Sequence, residues 1–368
     1  MTKREKEIID ILRKEPMISQ IDLAKRLGIS RSSAAVHITN MMKKGIIAGK
    51  GYVIREESFI AVLGGANIDI LGFPEKTFQP GESNPGFVTQ SVGGVGRNIA
   101  ENLARLGTHV RLLTLVGDDQ YGELVVNETK SAGVDVSYIQ KVFDHPTGIY
   151  LSVQDETGVM KSAISQMAIF DTMDETYPES VIEIMETASA VIIDTNISKR
   201  ALSFVTHKLP RHKLFLDTVS LAKAPKAADW IGKFDTVKPT REEAEVLSGI
   251  PIHDHGSLKD NGRWFLEKGC RNVIITLGEK GAYAVNNDYE GIVTAQPFAI
   301  KAANGAGDAF MAALVNESLA TPDIRKWAEA GLAAAIAAMT SGQVINRDVS
   351  MDLLEEIKKV HKVKWKSV

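Results

Sequence analysis

An aspartate that directly follows a glycine-rich turn is the clearest candidate for chemistry in this chain of 368 residues. Asp308 comes after Gly305, Ala306 and Gly307, and the sequence then continues as an apolar helix. Free N–H groups and the dipole at a helix N-terminus attract an anion such as a phosphoryl group. Asp308 can accept the proton of an attacking hydroxyl there, and we expect the dipole to keep its pKa low. An aspartate that only stabilises the helix remains the plainer alternative.

Two further segments offer polar groups that suit a hydroxylated substrate. Asn67 and Asp69 follow the apolar strand Phe59–Leu63 and two glycines, and their spacing on extended backbone points both side chains the same way. In SVGGVGRNIAENLARLG, a glycine-rich entry that includes Gly94 precedes a helix whose first turn carries Asn98. Because ligands bind at the carboxyl ends of strands in open α/β sheets, we expect these residues to contact a substrate. A purely structural Asn-x-Asp turn is the alternative.

Two segments further along the chain suit a nucleotide. In KPTREEAEVLSG, Thr240 and Glu243 match a capping box, which is a complete structural explanation. The functional alternative places Glu243 near the triphosphate, where it holds Mg²⁺ through water. In ITLGEKGAYAV, the residues Thr276, Gly278 and Gly281 form a strand-to-turn element that could cover the nucleotide. No G-x-x-x-x-G-K-[ST] sequence occurs, which excludes a P-loop.

The elements that must position these residues alternate between strands and helices over some 300 residues. Such alternation predicts a mostly parallel sheet with helices on both faces, an α/β fold of three layers. Two stretches, 70–90 and 147–168, break the alternation and predict a small β lid over the site.

Charge and composition divide the chain and exclude several classes. Residues 1–55 carry 12 Lys and Arg against 5 Asp and Glu, whereas the remainder carries 31 against 41. The single cysteine, Cys270, excludes an intramolecular disulfide framework and a cysteine-based zinc site, and it suits a reducing cytosol. The segment MTKREKEIID mixes acids with bases and lacks an apolar core, so we expect no secretory signal there, and no apolar run approaches the ~18 residues of a membrane span. We therefore expect a cytoplasmic protein with two parts that have different partners.

The basic segment 1–55 has the order helix, helix, tight turn, helix and hairpin, which is the plan of a winged helix-turn-helix. The second helix of the pair would bring the start of RSSAAVHITNMMKKG to base edges, and nearby lysines would meet phosphates. The predicted DNA-contacting residues are Arg31, Ser32, Ser33, Lys43, Lys44 and Lys50. A docking or dimerisation unit is the alternative.

Taken in order, GGANID, GGVGRN, KPTREEAE, TLGEKG and NGAGD resemble the PfkB (ribokinase-like) kinase family over roughly residues 58–345. SNPGFVTQSVGGVGRNIAENLARLG, IIDTNIS and FLDTVS look like the pseudouridine kinases of that family. The resemblance implies a ribokinase-like αβα domain over 58–368 with a β lid. It also implies transfer of the ATP γ-phosphate, with Mg²⁺, to a primary hydroxyl of a nucleoside or sugar.

The resemblance also assigns roles to individual positions. Asp308 would be the base, with Gly305, Ala306 and Gly307 as the anion hole. The substrate would be held by Asn67, Asp69, Gly94 and Asn98, whereas Asn196 and Asp217, at strand ends, would lie near the ATP phosphates. Glu243 would serve the metal and its water. Lid residues such as Phe87, Gln166 and Met167 are candidates to touch the substrate, and we expect a homodimer.

Two departures from the family pattern bear on activity. Ala302 and Ala303 stand where the family commonly has Asp-Thr, which puts activation by a monovalent cation in doubt. Thr240 replaces the usual asparagine, so direct amide contacts there are lost. Together with the basic segment, these departures keep open a second hypothesis, in which a transcriptional regulator uses a kinase-like domain only to sense a metabolite. We expect an active kinase, since neither change touches the base or the anion hole.

Overall fold

The structure, a computed structural model, describes residues 2–47, 58–209 and 214–368. The chain divides into two compact units, Met1–Ser58 and Phe59–Val368. In the part of the chain that is described, no helix is both long and apolar enough to cross a membrane.

The first unit contains three helices, α1 (Lys3–Lys14), α2 (Gln20–Leu27) and α3 (Arg31–Lys43). Two of these helices have cap residues of the kind that helix ends favour. The side chain of Ser30 accepts a hydrogen bond from the Ser33 N–H, and Gly28 ends α2 in the left-handed conformation with φ of 66°. The helices bury a small apolar core that includes Ile8, Leu12, Leu23, Ile38 and Met41. Most of the predicted wing hairpin lies outside the described residues.

The second unit is built on a large sheet, and its first strand lies at the predicted position, Phe59–Leu63. The strands of this sheet are β1 (Phe59–Leu63), β4 (His109–Gly117), β5 (Ile139–Val142), β8 (Ala190–Asp194), β9 (Leu214–Asp217), β10 (Thr236–Lys238), β11 (Asn272–Thr276), β12 (Ala282–Val285), β13 (Glu290–Thr294) and β14 (Lys364–Ser367). They lie in the order β14-β13-β12-β11-β10-β9-β8-β1-β4-β5. Neighbours from β11 to β5 are parallel, and β12, β13 and β14 add an antiparallel edge.

Helices cover both faces of this sheet and bury two apolar clusters against it. They are α4 (Val95–Arg105), α5 (Gln120–Ser131), α6 (Thr176–Ser180), α7 (Ile182–Thr187), α8 (Lys199–Lys208), α9 (Arg241–Ser248), α10 (His255–Lys268), α11 (Ala306–Ala320), α12 (Ile324–Ser341) and α13 (Met351–Val360). The buried pair α11 and α12 is rich in alanine, which allows the helices to pack closely on the strands.

The predicted lid is a separate four-stranded sheet. Its strands are β2 (Asn67–Pro74), β3 (Gly86–Gly93), β6 (Gly148–Gln154) and β7 (Met160–Gln166), in the order β3-β2-β6-β7. The substrate candidates Asn67 and Asp69 open β2, and β3 leads directly into the glycine turn before α4. The lid is therefore continuous with the segments that carry the predicted substrate-binding residues.

Candidate active site

The start of α11 is a glycine turn without a capping side chain. Gly305 precedes the helix with φ of 79°, and a Cβ there would lie 1.9 Å from the Val344 carbonyl oxygen, so only glycine fits. Asp308 is the third residue of the helix, and its Oδ2 accepts a hydrogen bond of 2.9 Å from Asn98 Nδ2. The candidate base, Asp308, and the candidate substrate-binding residue, Asn98, therefore lie at one site although they are 210 positions apart in the sequence.

The pKa of Asp308 is raised, so the expectation that the helix dipole keeps it low was wrong. Asp308 is half-buried, and its loss of solvation together with the negative charge of Asp217 raises this pKa to about 8, against the hydrogen bond from Asn98 and the charge of Lys238. A helix dipole contributes about 0.3–2 kcal/mol, whereas each pKa unit corresponds to about 1.4 kcal/mol. Loss of water and a facing carboxylate therefore outweigh the dipole.

A buried ion pair joins the ends of the neighbouring strands β9 and β10. Asp217 and Lys238 are register partners on β9 and β10, and Lys238 Nζ lies 3.0 Å from Asp217 Oδ2. Only 5% and 3% of these residues are exposed. The Asp217 Oδ1 accepts a hydrogen bond from the backbone N–H of Val219, a β-branched residue with φ of 61°. Sequence reasoning missed Lys238, although it stands in the KPTREEAE motif.

The substrate side is organised by contacts that only glycines permit. Asn67 Nδ2 donates a 2.7 Å hydrogen bond to Asp69 Oδ1, so the two side chains share a face as predicted. A Cβ at Gly93 would lie 2.2 Å from Asp69 Oδ2, and one at Gly94, where φ is 99°, would lie 2.5 Å from the Gly65 carbonyl oxygen. Glycines at these positions therefore allow the strand–turn–helix segments of this side to approach each other closely.

A fully buried carboxylate, Asp194, ties these segments together. Its Oδ2 accepts hydrogen bonds from the N–H groups of Gly65 (2.8 Å) and Gly96 (2.7 Å), and its Oδ1 accepts one from Asn196 (2.8 Å). Burial raises the pKa of Asp194, and these hydrogen bonds oppose that shift. Asp194 was not among the predicted site residues. The IIDTN segment places it at a strand end, but its partners are 129 and 98 positions away.

Asn196 lies on the same side as these substrate candidates. A Cβ at Gly65 would approach Asn196 Nδ2 to 2.7 Å, and Asn196 Oδ1 accepts a 2.5 Å hydrogen bond from Lys223 Nζ. Asn196 and Asp217 were both predicted to lie near the ATP phosphates, but neither lines the cavity described next.

A cavity of about 660 Å³ opens beside the start of α11. Its lining includes the predicted nucleotide residues Thr276, Gly278 and Gly281, and also Ala306 and Gly307 of the anion hole. Its apolar wall is formed by Leu277, Ile292, Phe310, Leu332, Ala335 and Met339. A mostly apolar cleft that ends at a helix N-terminus suits a nucleotide, with the base on the apolar wall and phosphates at the free N–H groups.

Glu243 forms the capping box that its spacing predicts. The Thr240 side chain accepts from the Glu243 N–H, while Glu243 Oε2 accepts from the Thr240 N–H (2.9 Å) and from Thr218 Oγ1 (2.5 Å). The other carboxylate oxygen, Oε1, takes part in neither of these two hydrogen bonds. Among the described residues, no three His, Cys, Asp or Glu side chains converge as metal ligands. Mg²⁺ is commonly held mainly by phosphates and waters with only one or two protein carboxylates, so its binding does not require such a cluster.

Comparison with known proteins decides the family. The model of the pfkB family of carbohydrate kinases matches residues 57–350. This chain belongs to that family. A winged helix-turn-helix DNA-binding model matches residues 1–48. The structure is also similar to that of a carbohydrate kinase from Agrobacterium tumefaciens, with a TM-score of 0.75 at 26% identity over 85% of this chain and all of that one.

Curated relatives of this pfkB kinase act on sugars and nucleosides. The chain is 35% identical to a protein of Escherichia coli K12 named "Uncharacterized sugar kinase YeiI", over 96% of this chain and 98% of that protein. It is 36% identical to the pseudouridine kinase of the same organism, over 72% of this chain and 84% of that protein. The ribokinase of Arabidopsis thaliana complexed with ribose and ATP shares the fold, with a TM-score of 0.75 at 20% identity over 82% of this chain and 99% of that one. The chain is a pfkB-family sugar or nucleoside kinase.

The helix-turn-helix unit presents only part of the predicted DNA-contacting set freely. Arg31, Ser32 and Lys43 are exposed on α3, and Ser33 is half-buried. The Lys44 ammonium, however, lies 2.6 Å from Glu5 Oε1, in an ion pair within the unit. Hydrogen bonds from Lys44 and from the Thr2 backbone lower the pKa of Glu5 to about 2. Lys50 lies outside the described residues.

Proposed function

We propose that this protein is an ATP-dependent kinase that phosphorylates a primary hydroxyl of a ribonucleoside, with pseudouridine favoured, or of a sugar. The observation that carries the proposal is the hydrogen bond between Asp308, at the start of α11, and Asn98, in the first turn of α4. It joins a candidate base, an anion-binding helix N-terminus and a polar substrate surface in one site.

The chemistry follows from the positions of these groups. Asp308 would accept the proton of the substrate hydroxyl while that oxygen bonds to the γ-phosphorus and ADP departs. The N–H groups that follow Gly305 would stabilise the charge on the transferred phosphoryl group, which spreads over its equatorial oxygens. When bound, Mg²⁺ neutralises phosphate charge, and Glu243 would hold it through water. Asn67, Asp69 and Asn98 would bind the substrate hydroxyls.

Relatives guide the choice of substrate. Pseudouridine kinase at 36% identity and a guanosine-inosine kinase of Exiguobacterium acetylicum at 31% favour a nucleoside, and the ribokinase of Staphylococcus aureus at 29% keeps free sugars as candidates. Purified protein with ATP and Mg²⁺ is tested for ADP formation against pseudouridine, uridine, purine nucleosides, ribose and fructose, with and without K⁺. We expect turnover that is strongest with pseudouridine. ADP formation with none of them, or full activity in Asp308→Asn, contradicts the proposal.

We further propose that residues 1–55 bind DNA through α3 and that the protein acts as a homodimer. The exposed Arg31 and Ser32 support the first statement. Val88, Leu151 and Ile164, which are 69%, 37% and 63% exposed on one face of the lid, support the second. A gel shift with DNA from upstream of the gene tests the former. Light scattering on Val88→Glu/Ile164→Glu tests the latter, and an unchanged mass contradicts it. Ligand-dependent DNA binding without turnover would favour the regulator hypothesis instead.

A further inference from the structure

A buried lysine that the proton transfer does not use lies beside the start of α11. Lys238 is 3% exposed and ends β10, directly opposite Asp217 on β9. A charged amine removed from water is stable only if nearby acceptors replace its hydration. The contacts around this amine therefore indicate what it is placed to bind.

The contact with Asp217 satisfies the ammonium group only in part. Lys238 Nζ lies 3.0 Å from Asp217 Oδ2, yet this buried oxygen has no hydrogen-bond partner among the described residues. The two groups are thus paired by charge without a well-directed hydrogen bond. Since an ammonium group has three donors, Lys238 has donors left for another acceptor.

The ammonium group of Lys238 lies close to the backbone at the start of α11. A Cβ built on Gly307 would lie 3.7 Å from Lys238 Nζ, so only the space of one missing side chain separates the amine from the helix backbone. Gly307 is the second residue of α11, where backbone N–H groups lack helical partners. A cation and free N–H groups therefore border the same space, which would attract an anionic group more strongly than either alone.

We propose that Lys238 is a further catalytic residue, whose ammonium group contacts the transferring phosphoryl group opposite the N–H groups of α11. This inference rests on the kinase activity proposed above. During transfer, the substrate oxygen bonds to the γ-phosphorus, the bond to the ADP oxygen breaks and the hydroxyl proton passes to Asp308. Lys238 stays protonated throughout. Its charge stabilises the phosphoryl oxygens, and the burial of Lys238 makes this interaction stronger than it would be in bulk water.

Steady-state kinetics of Lys238→Met test the assignment. We expect kcat to fall about 10²–10³-fold, as for loss of one oxyanion donor, with KM for the hydroxyl substrate changed less than threefold. Lys259→Met is the matched control, because Lys259 forms a half-buried pair with Glu290 (3.5 Å) that involves none of the site residues described above, and its kcat should stay near wild type. A kcat within threefold of wild type in Lys238→Met overturns the proposal.

A second set of variants separates catalysis from stability. Lys238→Met leaves Asp217 unpaired and should lower Tm, whereas Asp217→Asn/Lys238→Met removes both charges and should recover most of that loss. We expect kcat to stay low in the double variant, while Asp217→Asn alone keeps at least a tenth of wild-type kcat. If kcat recovers together with Tm in the double variant, or if both single variants lose kcat equally, Lys238 and Asp217 form only a structural pair. Either result overturns the proposal.

Nucleotide binding provides a readout that does not depend on turnover. Calorimetry with ATP and ADP should show that Lys238→Met loses about tenfold of the preference for ATP, because the lysine would contact the γ-phosphoryl group. An unchanged ATP to ADP ratio overturns the inference. If the wild-type protein forms no ADP with any substrate, the proposed function fails, and this ratio still decides the role of Lys238.

Discussion

The starts of α9 and α11 place an acidic residue at the same helical position and use it differently. In α9 the N-cap is Thr240, and Glu243 returns its carboxylate to the Thr240 N–H at 2.9 Å. In α11 the N-cap is Gly305, which has no side chain, and Asp308 reaches Asn98 instead. Where a hydroxyl side chain caps the helix, the acid of the first turn is held by hydrogen bonds to the helix end. Where a left-handed glycine is the N-cap, the acid of the first turn is available for chemistry.

The start of α1 extends this comparison to charge. Thr2 and Glu5 form a second capping box, and the hydrogen bonds from Lys44 and the Thr2 backbone lower the pKa of Glu5 to about 2. Burial and Asp217 raise the pKa of Asp308 to about 8. Two acids at equivalent helical positions therefore have pKa values shifted in opposite directions, because their surroundings outweigh the dipole that they share.

The largest expected effect is on turnover in Asp308→Asn. Removal of a general base typically slows a reaction 10²–10⁴-fold, and we expect a loss of kcat in that range. Glu5→Gln, at the equivalent position of α1, is the control and should leave turnover unchanged. Equal activity in Asp308→Asn and wild type, measured as ADP formation, would show that the two acids do not differ in role.

The same substitution should stabilise the kinase unit. The pKa of Asp308 is about 8 in the folded chain and about 4 when unfolded, so the folded state loses stability as pH rises from 4 to 8. Asparagine does not ionise. The Tm of Asp308→Asn should therefore exceed that of wild type by several degrees at pH 8 and by little at pH 4. A constant difference across this range would contradict the raised pKa.

The next largest effect is expected for Gly305→Ala. Alanine is strained at φ of 79°, and its Cβ would lie 1.9 Å from the Val344 carbonyl oxygen, so the turn before α11 must shift. We expect kcat to fall at least tenfold in any folded protein recovered. Gly249→Ala, after α9, has a similar φ of 73° but open space, and serves as the control for backbone strain alone.

A smaller effect should follow from Thr240→Ala. Loss of an N-cap hydroxyl costs about 1 kcal/mol of unfolding free energy, because the Glu243 N–H loses its acceptor, Thr240 Oγ1. Urea unfolding measures this loss. Thr240→Ser keeps the hydroxyl and should restore stability, and a failure to do so would remove the capping box from the explanation.

The smallest effect separates two neighbouring lysines of the helix-turn-helix unit. Each phosphate contact contributes a slope of about −0.9 to the dependence of log K on log salt. We expect Lys43→Ala to reduce the slope for DNA binding by nearly that amount. Lys44→Ala should reduce it less, because Lys44 is paired with Glu5. Equal changes would mean that Lys44 leaves Glu5 on DNA.

Local sequence predicted much of the fold but not the surroundings of its acids. Strands such as Leu214–Asp217 and Thr236–Lys238 are short apolar runs that stop at polar residues. The helix caps follow from the residue types of Ser30, Thr240 and Gly28. Each of these signals lies within a few residues of the feature that it predicts.

The contacts that set the chemistry depend on strand order. Asp217 faces Lys238 because β9 and β10 are neighbours in register, and Asp194 binds Gly65 and Gly96 because β8 lies beside β1. Neither of these strand pairings can be predicted from the local sequence. The predicted direction of the Asp308 pKa shift was therefore wrong, because it was inferred from the helix dipole alone.

The pH dependence of kcat/KM tests most directly whether Asp308 is the base in the surroundings described. This ratio reports the pKa of essential groups in the free enzyme. For wild type we predict a rise of about tenfold per pH unit that levels off near pH 8, and for Asp217→Asn a levelling off at lower pH. A profile that is flat from pH 5 to 9 in both proteins would contradict the account.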